Sequence, residues 1–588
     1  MLYESTVNLS DIPCRYYLSK ANARGSQYVY AHVGDKYNKE KKYSVPVRLA
    51  IGKVCIDDSG KMYPNNNFYE KFPEVIVEEK QPIRSMSQDL GAFLLSQHVF
   101  NELGLVSILQ KHFLEQSALI LDLATFMMIC EDNAFCHFKD YARTHPLFRE
   151  DQHIVSEATI SRLLTDTSQD QIYNCLVDWN AKNKKGVEIF ISYDASNKNC
   201  QAGDIDFVEY GHAKVDAGTP IWNYGIGLNI QDMLPLFYDK YQGSIPDVSQ
   251  LEQLVNKSIE FGYQKITFIL DRGFFSESNI RYIDEAKFNF IMMVKGKKKL
   301  VSEIIDKLRG SFEMDHKHLV KTTSGVYGCT EKREFAGKDR YFHVYCSTQK
   351  LHTESDKISK NIDDLEVHLT RCKGKILDST KEFDPYFDLH KDKTGKLIFF
   401  ERKYDAITEE LKRAGYFTII TSKKMTAEEA YLLYKKRDSS EKLFCADKTF
   451  LGSHCSRVHS TEALNTKMFI EFIALIARSR IYSLLKDASI KMEGRRVVHH
   501  VPDTLSVLDR VKAIRLKPDG RYILQSGLSR KTKLIFSYFG VSEIELNNMI
   551  SKLLSRLSAA SIEYEKELSV DYTDQLEDES DESFYDDE

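Results

Sequence analysis

The sequence predicts a multi-domain α/β protein with a β-rich N-terminal region, helical flanking regions and a sheet-based centre. Three observations predict it. Short apolar runs of strand length alternate with helical stretches in the middle of the chain, and two of these runs end in Asp. A length of 588 residues corresponds to about four domains at roughly 150 residues each. Hydrophobic residues make up 42% and charged residues 28%, enough to bury large cores and too apolar for a disordered regulator. No run reaches the ~18 apolar residues of a membrane span, since the longest candidate, Phe469–Ala477, contains Glu471 and stops at Arg478. Met1 to Asp11 carries Glu4 and Asp11 without an apolar stretch, so no signal peptide is expected. Eleven cysteines without a CxxC pair read as reduced thiols, which points to a cytosolic protein.

The elements follow in chain order. Tyr28–Val33 and Val45–Ile51 read as strands, and Pro46, which cannot donate to a ladder, suggests an edge position for the second. Helical periodicity runs from about Ser87 to Asn180. Within it, His153–Leu164 reads either as the second helix of a helix-turn-helix or as an ordinary amphipathic helix. Val187–Tyr193, Lys265–Leu270 and Asn289–Val294 then read as buried central strands, the first two followed by Asp194 and Asp271. Ligands bind beyond the carboxyl ends of strands in open α/β sheets. An Asp buried there without a partner would be costly. Residues 295–404 break the alternation with a lysine cluster and short strand pieces, and read as an inserted β-rich subdomain. The α/β pattern returns at Gly415–Thr421 and a long helix follows.

Charge is unevenly spread. The net charge is −5, but Asp571 to Glu588 holds ten acids and no base, so the rest of the chain carries +5. Arg478 to Lys533 holds 14 Lys/Arg against 5 Asp/Glu. A basic segment ahead of an acidic tail suits a body that meets a polyanion, with a tail competing for the same surface; a solvated face and a solubilising tail is the plainer alternative.

The helix after Thr421 is the most informative stretch. Thr426 and Glu429 form a T-x-x-E capping box. Tyr434, Arg437, Glu441 and Lys448 follow at spacings that place all four on one helical face, away from Leu432, Leu433, Leu443 and Phe444; taken alone, the stripe reads either as functional or as a solvated surface with i,i+4 pairs. Taken with Asp194 and Asp271, Glu441 completes three carboxylates able to converge at a sheet edge. Such a set suits hard divalent cations. Two Mg²⁺ ions would clamp the attacking and leaving oxygens of a phosphoryl transfer. Arg437 would grip a phosphate as a fork and Lys448 as a point charge. Cys445, His454, Cys455 and His459 lie close in sequence, but their spacing matches no zinc site. His499-His500 after Arg495-Arg496 reads as polyanion-facing or solvated, and Trp222 as core.

Tyr434-x2-Arg437-x3-Glu441-x6-Lys448 resembles the YREK signature of bacterial insertion-sequence DDE transposases, in the group typified by insertion sequence four. Tyr193-Asp194-Ala195-Ser196 resembles the block around their first catalytic Asp, and Leu270-Asp271-Arg272-Gly273-Phe274-Phe275-Ser276 the Asp-Arg-Gly block around the second. Gly211-His212-Ala213-Lys214 stands where relatives have a Gly-Tyr-Ser-Lys type of segment. The resemblance covers about residues 187–450 at the level of motifs; outside it, Tyr28–Asp57 and Leu505–Gly540 are also similar to the group's longer members.

This resemblance implies an RNase H-like catalytic core interrupted by a β-rich insertion between Asp271 and Glu441. It implies Mg²⁺-dependent cleavage at transposon ends, with Mn²⁺ as a substitute ion, then transfer of the freed 3′-OH to target DNA. Asp194, Asp271 and Glu441 would be the catalytic metal ligands. Tyr434, Arg437 and Lys448 would contact DNA, and Arg272 would contact it or orient Asp271. Relatives that form hairpin ends place an aromatic of the insertion on a flipped base; neither Trp179 nor Trp222 lies there, which leaves Phe399, Phe400 or Tyr404. The expected partners are double-stranded DNA (terminal inverted repeats and target) and a second copy in the synaptic complex, with no membrane, in the bacterial cytoplasm at the nucleoid. The expected division is 1–86 β-rich, 87–182 helical and DNA-binding, 183–294 core, 295–404 insertion, 405–490 core with the Glu441 helix, 491–570 basic helical and 571–588 acidic and disordered. A nuclease that cuts without joining and a catalytically silent DNA-binding protein are the alternatives.

Overall fold

The computed structural model describes residues 3–578, apart from 22–26, 39–42, 56–58, 73, 76–77, 83–84, 184–187, 203–204, 212–215, 217, 246–249, 296–297, 322, 492–499 and 517–520. The segment His212–Lys214, the basic pair Arg495-Arg496 and His499 therefore lie outside the described residues, as does the tail from 579. Two units divide the chain. One joins Met1–His98, Phe135–Glu157 and Pro502–Glu588; the other joins Val99–Ala134 and Ala158–Val501.

The first unit is built on an antiparallel six-stranded sheet of order β2-β3-β4-β5-β1-β6. Its strands are β1 (Tyr3–Asn8), β2 (Tyr16–Leu18), β3 (Tyr28–Asn38), β4 (Tyr43–Val54), β5 (Lys61–Pro64) and β6 (Glu78–Pro82). Strand alternation sends Val29 and Ala31 to one face, where they meet Ile51, Val54, Met62 and Phe68 in a common core. Phe68 belongs to the helix Asn66–Lys71, which starts where the Asn65 side chain accepts from the Phe68 amide. β4 lies inside the sheet, not at its edge. Pro46, however, sits opposite Asp35 of β3 on the half of β4 that β5 does not reach, since β5 pairs only with Gly52–Val54. The missing donor is tolerated there for that reason. In the same unit β7 (Ser87–Asp89) pairs with Lys512–Arg515, which pairs in turn with Tyr522–Leu524. The helix Glu543–Asp578 runs into the acidic segment that composition reads as disordered.

The second unit holds an eight-stranded sheet of order β10-β9-β8-β11-β12-β17-β14-β13. β8 (Ile189–Asn199), β9 (Ile221–Asn229) and β10 (Leu234–Gln242) form an antiparallel meander. β11 (Ile266–Leu270) and β12 (Asn289–Met293) continue it in parallel with β8. The parallel crossover is the helix Glu277–Glu285, capped by Ser276. All five residues of β11 are buried, as a central parallel strand covered on both faces requires. The helix Gln169–Asn183 is fixed on β10 by Trp179 Nε1 donating to the Pro235 carbonyl at 3.0 Å and Asn180 Nδ2 to the Leu236 carbonyl at 2.9 Å. Two apolar helices, Gln116–Cys130 and Thr461–Lys491, are buried over most of their lengths. Among the described residues no single helix is long and apolar enough to cross a membrane.

Residues 295–404 differ from the inserted β-rich subdomain read from the sequence. β13 (Val326–Phe335) and β14 (Lys338–Ser347) extend the main sheet, with β17 (Tyr416–Thr421) between β14 and β12. The rest is largely helical: Lys298–Leu308, then the long helix Thr348–Arg371. Among the described residues of this segment, only the hairpin β15 (Phe387–Lys391) and β16 (Leu397–Arg402) stands apart from the sheet, on a small core of Ile362, Leu369, Phe383, Phe387 and Leu397. The long helix is hard to read because just Ile362 and Leu369 of it are buried. The helix Glu157–Asp166 starts later than the stretch from His153; it buries Ile160 and Leu163, and Arg162 is exposed.

Candidate active site

Parallel pairing of β8 with β11 ends at Tyr193 opposite Leu270. The next residues on the two neighbouring strands are Asp194 and Asp271, so register alone brings the carboxylates side by side. β8 does not stop there: it continues to Asn199 along β9, so Asp194 stands within a long strand instead of at its end. β11 does stop, and Asp271 opens the short turn Arg272–Phe274. The Tyr193 ring fills the space behind the site because Gly225 faces it on β9; a Cβ there would overlap the Tyr193 hydroxyl. The Asp194 Oδ1 accepts from the Ala195 amide at 2.9 Å.

The capping box forms as the sequence predicts: the Thr426 side chain accepts from the Glu429 amide, and Glu429 accepts from the Thr426 amide. The expected single helix does not. Helix Ala427–Lys435 breaks at Lys436–Arg437, helix Asp438–Cys445 follows, and Ala446–Phe450 forms a π-turn. Two anchors on the sheet explain the bend. The buried Tyr434 donates its hydroxyl to Asp271 Oδ1 at 3.4 Å, and the buried Ser440 donates to Ser192 Oγ on β8 at 2.8 Å. The polar stripe therefore faces the sheet edge, whereas Leu432 is exposed.

Arg437, at the bend, ties the acids together. Its Nη2 donates to Glu441 Oε1 at 2.6 Å and its Nη1 lies 3.8 Å from Asp194 Oδ2. Its guanidinium also lies 5.8 Å from the Tyr434 ring centre. Burial works against its charge, but Tyr434, Asp271, Glu441 and Asp194 outweigh burial and hold it more firmly protonated than an ordinary Arg. Burial pushes the Tyr434 phenol well up, with Asp271 adding to it, so the hydroxyl keeps its proton. Thus Asp194, Asp271, Glu441, Tyr434 and Arg437 are brought together. Lys448 lies on the π-turn, where its carbonyl accepts from His454 Nδ1 at 3.1 Å. Arg272 is exposed, and no carboxylate of the described residues lies within ion-pair distance of it.

The three carboxylates are the right donors for a hard cation. They are not gathered into a cage: among the described residues no three His, Cys, Asp or Glu side chains are close enough to share one ion, and Arg437 stands between Asp194 and Glu441. Cys445, His454, Cys455 and His459 likewise form no metal cluster.

Sequence reasoning missed a buried ionic group beside this site. Lys198 shares the β8 face of Asp194, four residues on. Its Nζ lies 2.6 Å from Glu471 Oε2 and 3.1 Å from Asp447 Oδ2, with all three side chains almost fully buried. Tyr224 of β9 donates to Asp447 Oδ2 at 2.6 Å, and Lys467 Nζ to the Ser456 carbonyl at 2.6 Å. Burial opposes the charge of Lys198, but Asp447 and Glu471 outweigh it and hold the ammonium above its usual range. Burial, with Lys198 nearby, lowers Lys467 to about 8. The group locks β8, β9, the π-turn and the helix Thr461–Lys491 together directly before Lys448. Lys467 and Glu471, one turn apart inside an apolar helix, were its legible signal.

Residues 223–477 match the family model described as Transposase DDE domain. The match takes in Asp271, Tyr434, Arg437, Glu441 and Lys448 and begins after Asp194. This stretch is similar to a transposase DDE domain. No curated protein matches the chain. Among solved structures it is similar to a piggyBac transposase in a synaptic complex with hairpin DNA, at 9% identity and a TM-score of 0.31 over 68% of this chain. The similarity spans 64% of that protein's length.

Proposed function

We propose that this chain is a DNA transposase that cuts at the ends of its element and joins the freed ends to target DNA. The observation that carries the reading is the register of β8 and β11, which sets Asp194 beside Asp271, with Glu441 tied to Asp194 through Arg437. The strand order of β10 to β12, an antiparallel meander continued by two parallel strands, supports an RNase H-like core. The Tyr434, Arg437, Glu441 and Lys448 spacing supports membership in the bacterial insertion-sequence group with the YREK signature, working at the nucleoid.

Asp194, Asp271 and Glu441 would hold divalent cations, Mg²⁺ with Mn²⁺ as substitute, which when bound would polarise the scissile phosphate and the attacking oxygen. The chain's own groups do the rest. Tyr434 steadies Asp271 through its hydroxyl. Arg437 leaves the carboxylates for a DNA phosphate, where its fork donates to two oxygens at once. Lys448 and Arg272 bind the backbone nearby; the exposure of Arg272 favours this over orienting Asp271. In the insertion, Phe399 is 43% exposed and stacks on His390 at 4.1 Å, and Tyr404 is 70% exposed, whereas Phe400 packs on the local core. Phe399 and Tyr404 are thus the better placed to receive a flipped base. The partners are duplex DNA bearing terminal inverted repeats, target DNA, and a second copy of the chain at synapsis.

The test is excision of a marker bracketed by the gene's flanking DNA, comparing wild type with Glu441→Gln in Mg²⁺. Excision by wild type alone is expected. Nicking without excision means a nuclease, and binding without cutting by either protein means a silent DNA-binding protein.

A further inference from the structure

Two ties join β8 to the short stretch of chain that carries Glu441 and Lys448. No bulge interrupts β8 along β9, so Ser192, Asp194, Ser196 and Lys198 alternate onto one face. Ser440 donates to Ser192 Oγ at 2.8 Å, and Lys198 Nζ lies 3.1 Å from Asp447 Oδ2. Each tie falls on the residue directly before one of the signature, Ser440 before Glu441 and Asp447 before Lys448. Asp194 stands on β8 between the two ties. Asp447 is held from β9 as well. Tyr224, opposite Ser196, donates to Asp447 Oδ2 at 2.6 Å, and its ring meets Phe444 edge-on at 5.3 Å. Glu471 Oε2, 2.6 Å from Lys198 Nζ, keeps the ammonium from swinging away.

The lengths of the two runs explain why the second tie is a lysine. From Ser192 to Lys198 a strand rises about 20 Å, at roughly 3.3 Å per residue. From Ser440 to Asp447 a helix rises only about 10 Å, at roughly 1.5 Å per residue. Side chains of serine length could not close both ends, and the four-carbon stem of lysine spans part of the difference. Stability alone does not ask for a buried ionic group here, because well-packed apolar side chains often serve as well or better. An ion pair adds direction. It holds one rotation of the π-turn Ala446–Phe450, with Asp447 turned inward, and such turns are frequent at functional sites. On the reading that Lys448 grips a DNA phosphate, we propose that Lys198 is a positioning residue. Acting through Asp447, it fixes the register of the Glu441–Lys448 segment along β8, so that both residues are presented to DNA together. It touches no reacting atom itself.

The test uses the full chain in EDTA, so that cleavage plays no part. Anisotropy of a fluorescein-labelled 30-bp duplex taken from the DNA flanking the gene is measured across a salt series. The variants are Lys448→Gln, the pair Lys198→Met with Asp447→Ala, and all three together. The pair leaves the net charge unchanged, and Glu471 keeps Lys467 one turn away, so charge alone predicts no change in slope for it. Lys448→Gln should weaken binding about fivefold and lower the log–log salt slope by about 1. The pair should do the same, and the combined variant should fall no further. A purely structural role would leave the slope of the folded protein at the wild-type value. If the pair melts early, Tyr224→Phe takes its place; it removes one anchor of Asp447 and should give a smaller loss of slope, again without adding to Lys448→Gln. A wild-type slope in the pair overturns the proposal, as does a combined variant that falls by the sum of the two. If Lys448→Gln itself keeps the wild-type slope, Lys448 is no phosphate contact, and the positioning role falls with that reading. A drop for Lys448→Gln but not for the pair sinks the positioning role alone.

Discussion

Arg437 donates through Nη2 to Glu441 Oε1 at 2.6 Å, one helical turn away, while its Nη1 reaches toward Asp194 at 3.8 Å. The guanidinium thus supplies the positive charge that the carboxylates need when no cation is among them. Because Glu441 is 59% exposed on its side chain, the pair is worth only about 0.2–1 kcal/mol. Arg437 can therefore exchange partners at small cost. Arg437→Gln should bind Mn²⁺ severalfold more tightly in the absence of DNA, by calorimetry or by the loss of free-ion electron resonance. It should also cleave more slowly, having lost its phosphate fork. Mn²⁺ affinity that falls would show that Arg437 supports the ion site instead of competing with it.

Much of this site was legible because its parts are local in sequence. Two strand-like runs each followed by Asp and a capping box at Thr426 needed only short-range pattern. What could not be read was the consequence of tertiary anchoring. Spacings of three, four and seven put four side chains on one ideal helix, but Tyr434 and Ser440 are pulled to different points of the sheet and break it. The same limit hid the edge-strand neighbours of the insertion. β13 and β14 look like any exposed hairpin until β17, about 70 residues later, takes its place beside β14. Lys198 was unreadable for another reason: its two counter-charges come from positions 447 and 471.

Tyr434 tests whether orientation of Asp271 matters. Its bond to Asp271 is long at 3.4 Å, so Tyr434→Phe should change stability by less than about 1 kcal/mol. Single-turnover cleavage should fall about fivefold, with DNA affinity unchanged. Since burial keeps the phenol protonated, this ratio should be the same at pH 7 and pH 9. A defect that vanishes at either pH would tie the phenol to proton transfer instead.

Arg272 separates its two possible roles. It is exposed and has no carboxylate partner among the described residues. Arg272→Ala should leave thermal stability within about 0.5 kcal/mol and lower the salt slope of DNA binding by about 1. An unchanged slope with slower cleavage would instead support an orienting role toward Asp271.

The buried group around Lys198 makes the strongest stability prediction. Lys198→Met would leave Asp447 and Glu471 buried without their counter-ion, a loss of about 3–5 kcal/mol. Adding Asp447→Asn and Glu471→Gln should recover part of it, because the charges left behind, not the missing ammonium, cause most of the loss. Lys467 gives the group a pH signature. Its folded-state pKa of about 8 lies below the ordinary 10.5. Between those values the unfolded chain binds the proton and the folded one does not, so stability gains from this residue as pH rises from about 8 toward 10.5. Below pH 8 the lysine is charged in both states, and the fold carries the full cost of burying it. Lys198 acts in the opposite sense: its folded pKa lies above 10.5, so its contribution is complete below that pH and is lost only above it. Urea unfolding of wild type at pH 7.5, 8.5 and 9.5, compared with Lys467→Met, should show a rise in wild-type stability relative to the variant over this range. A difference that stays flat with pH would mean that Lys467 is not held below its ordinary range, and that its bond to the Ser456 carbonyl keeps it charged.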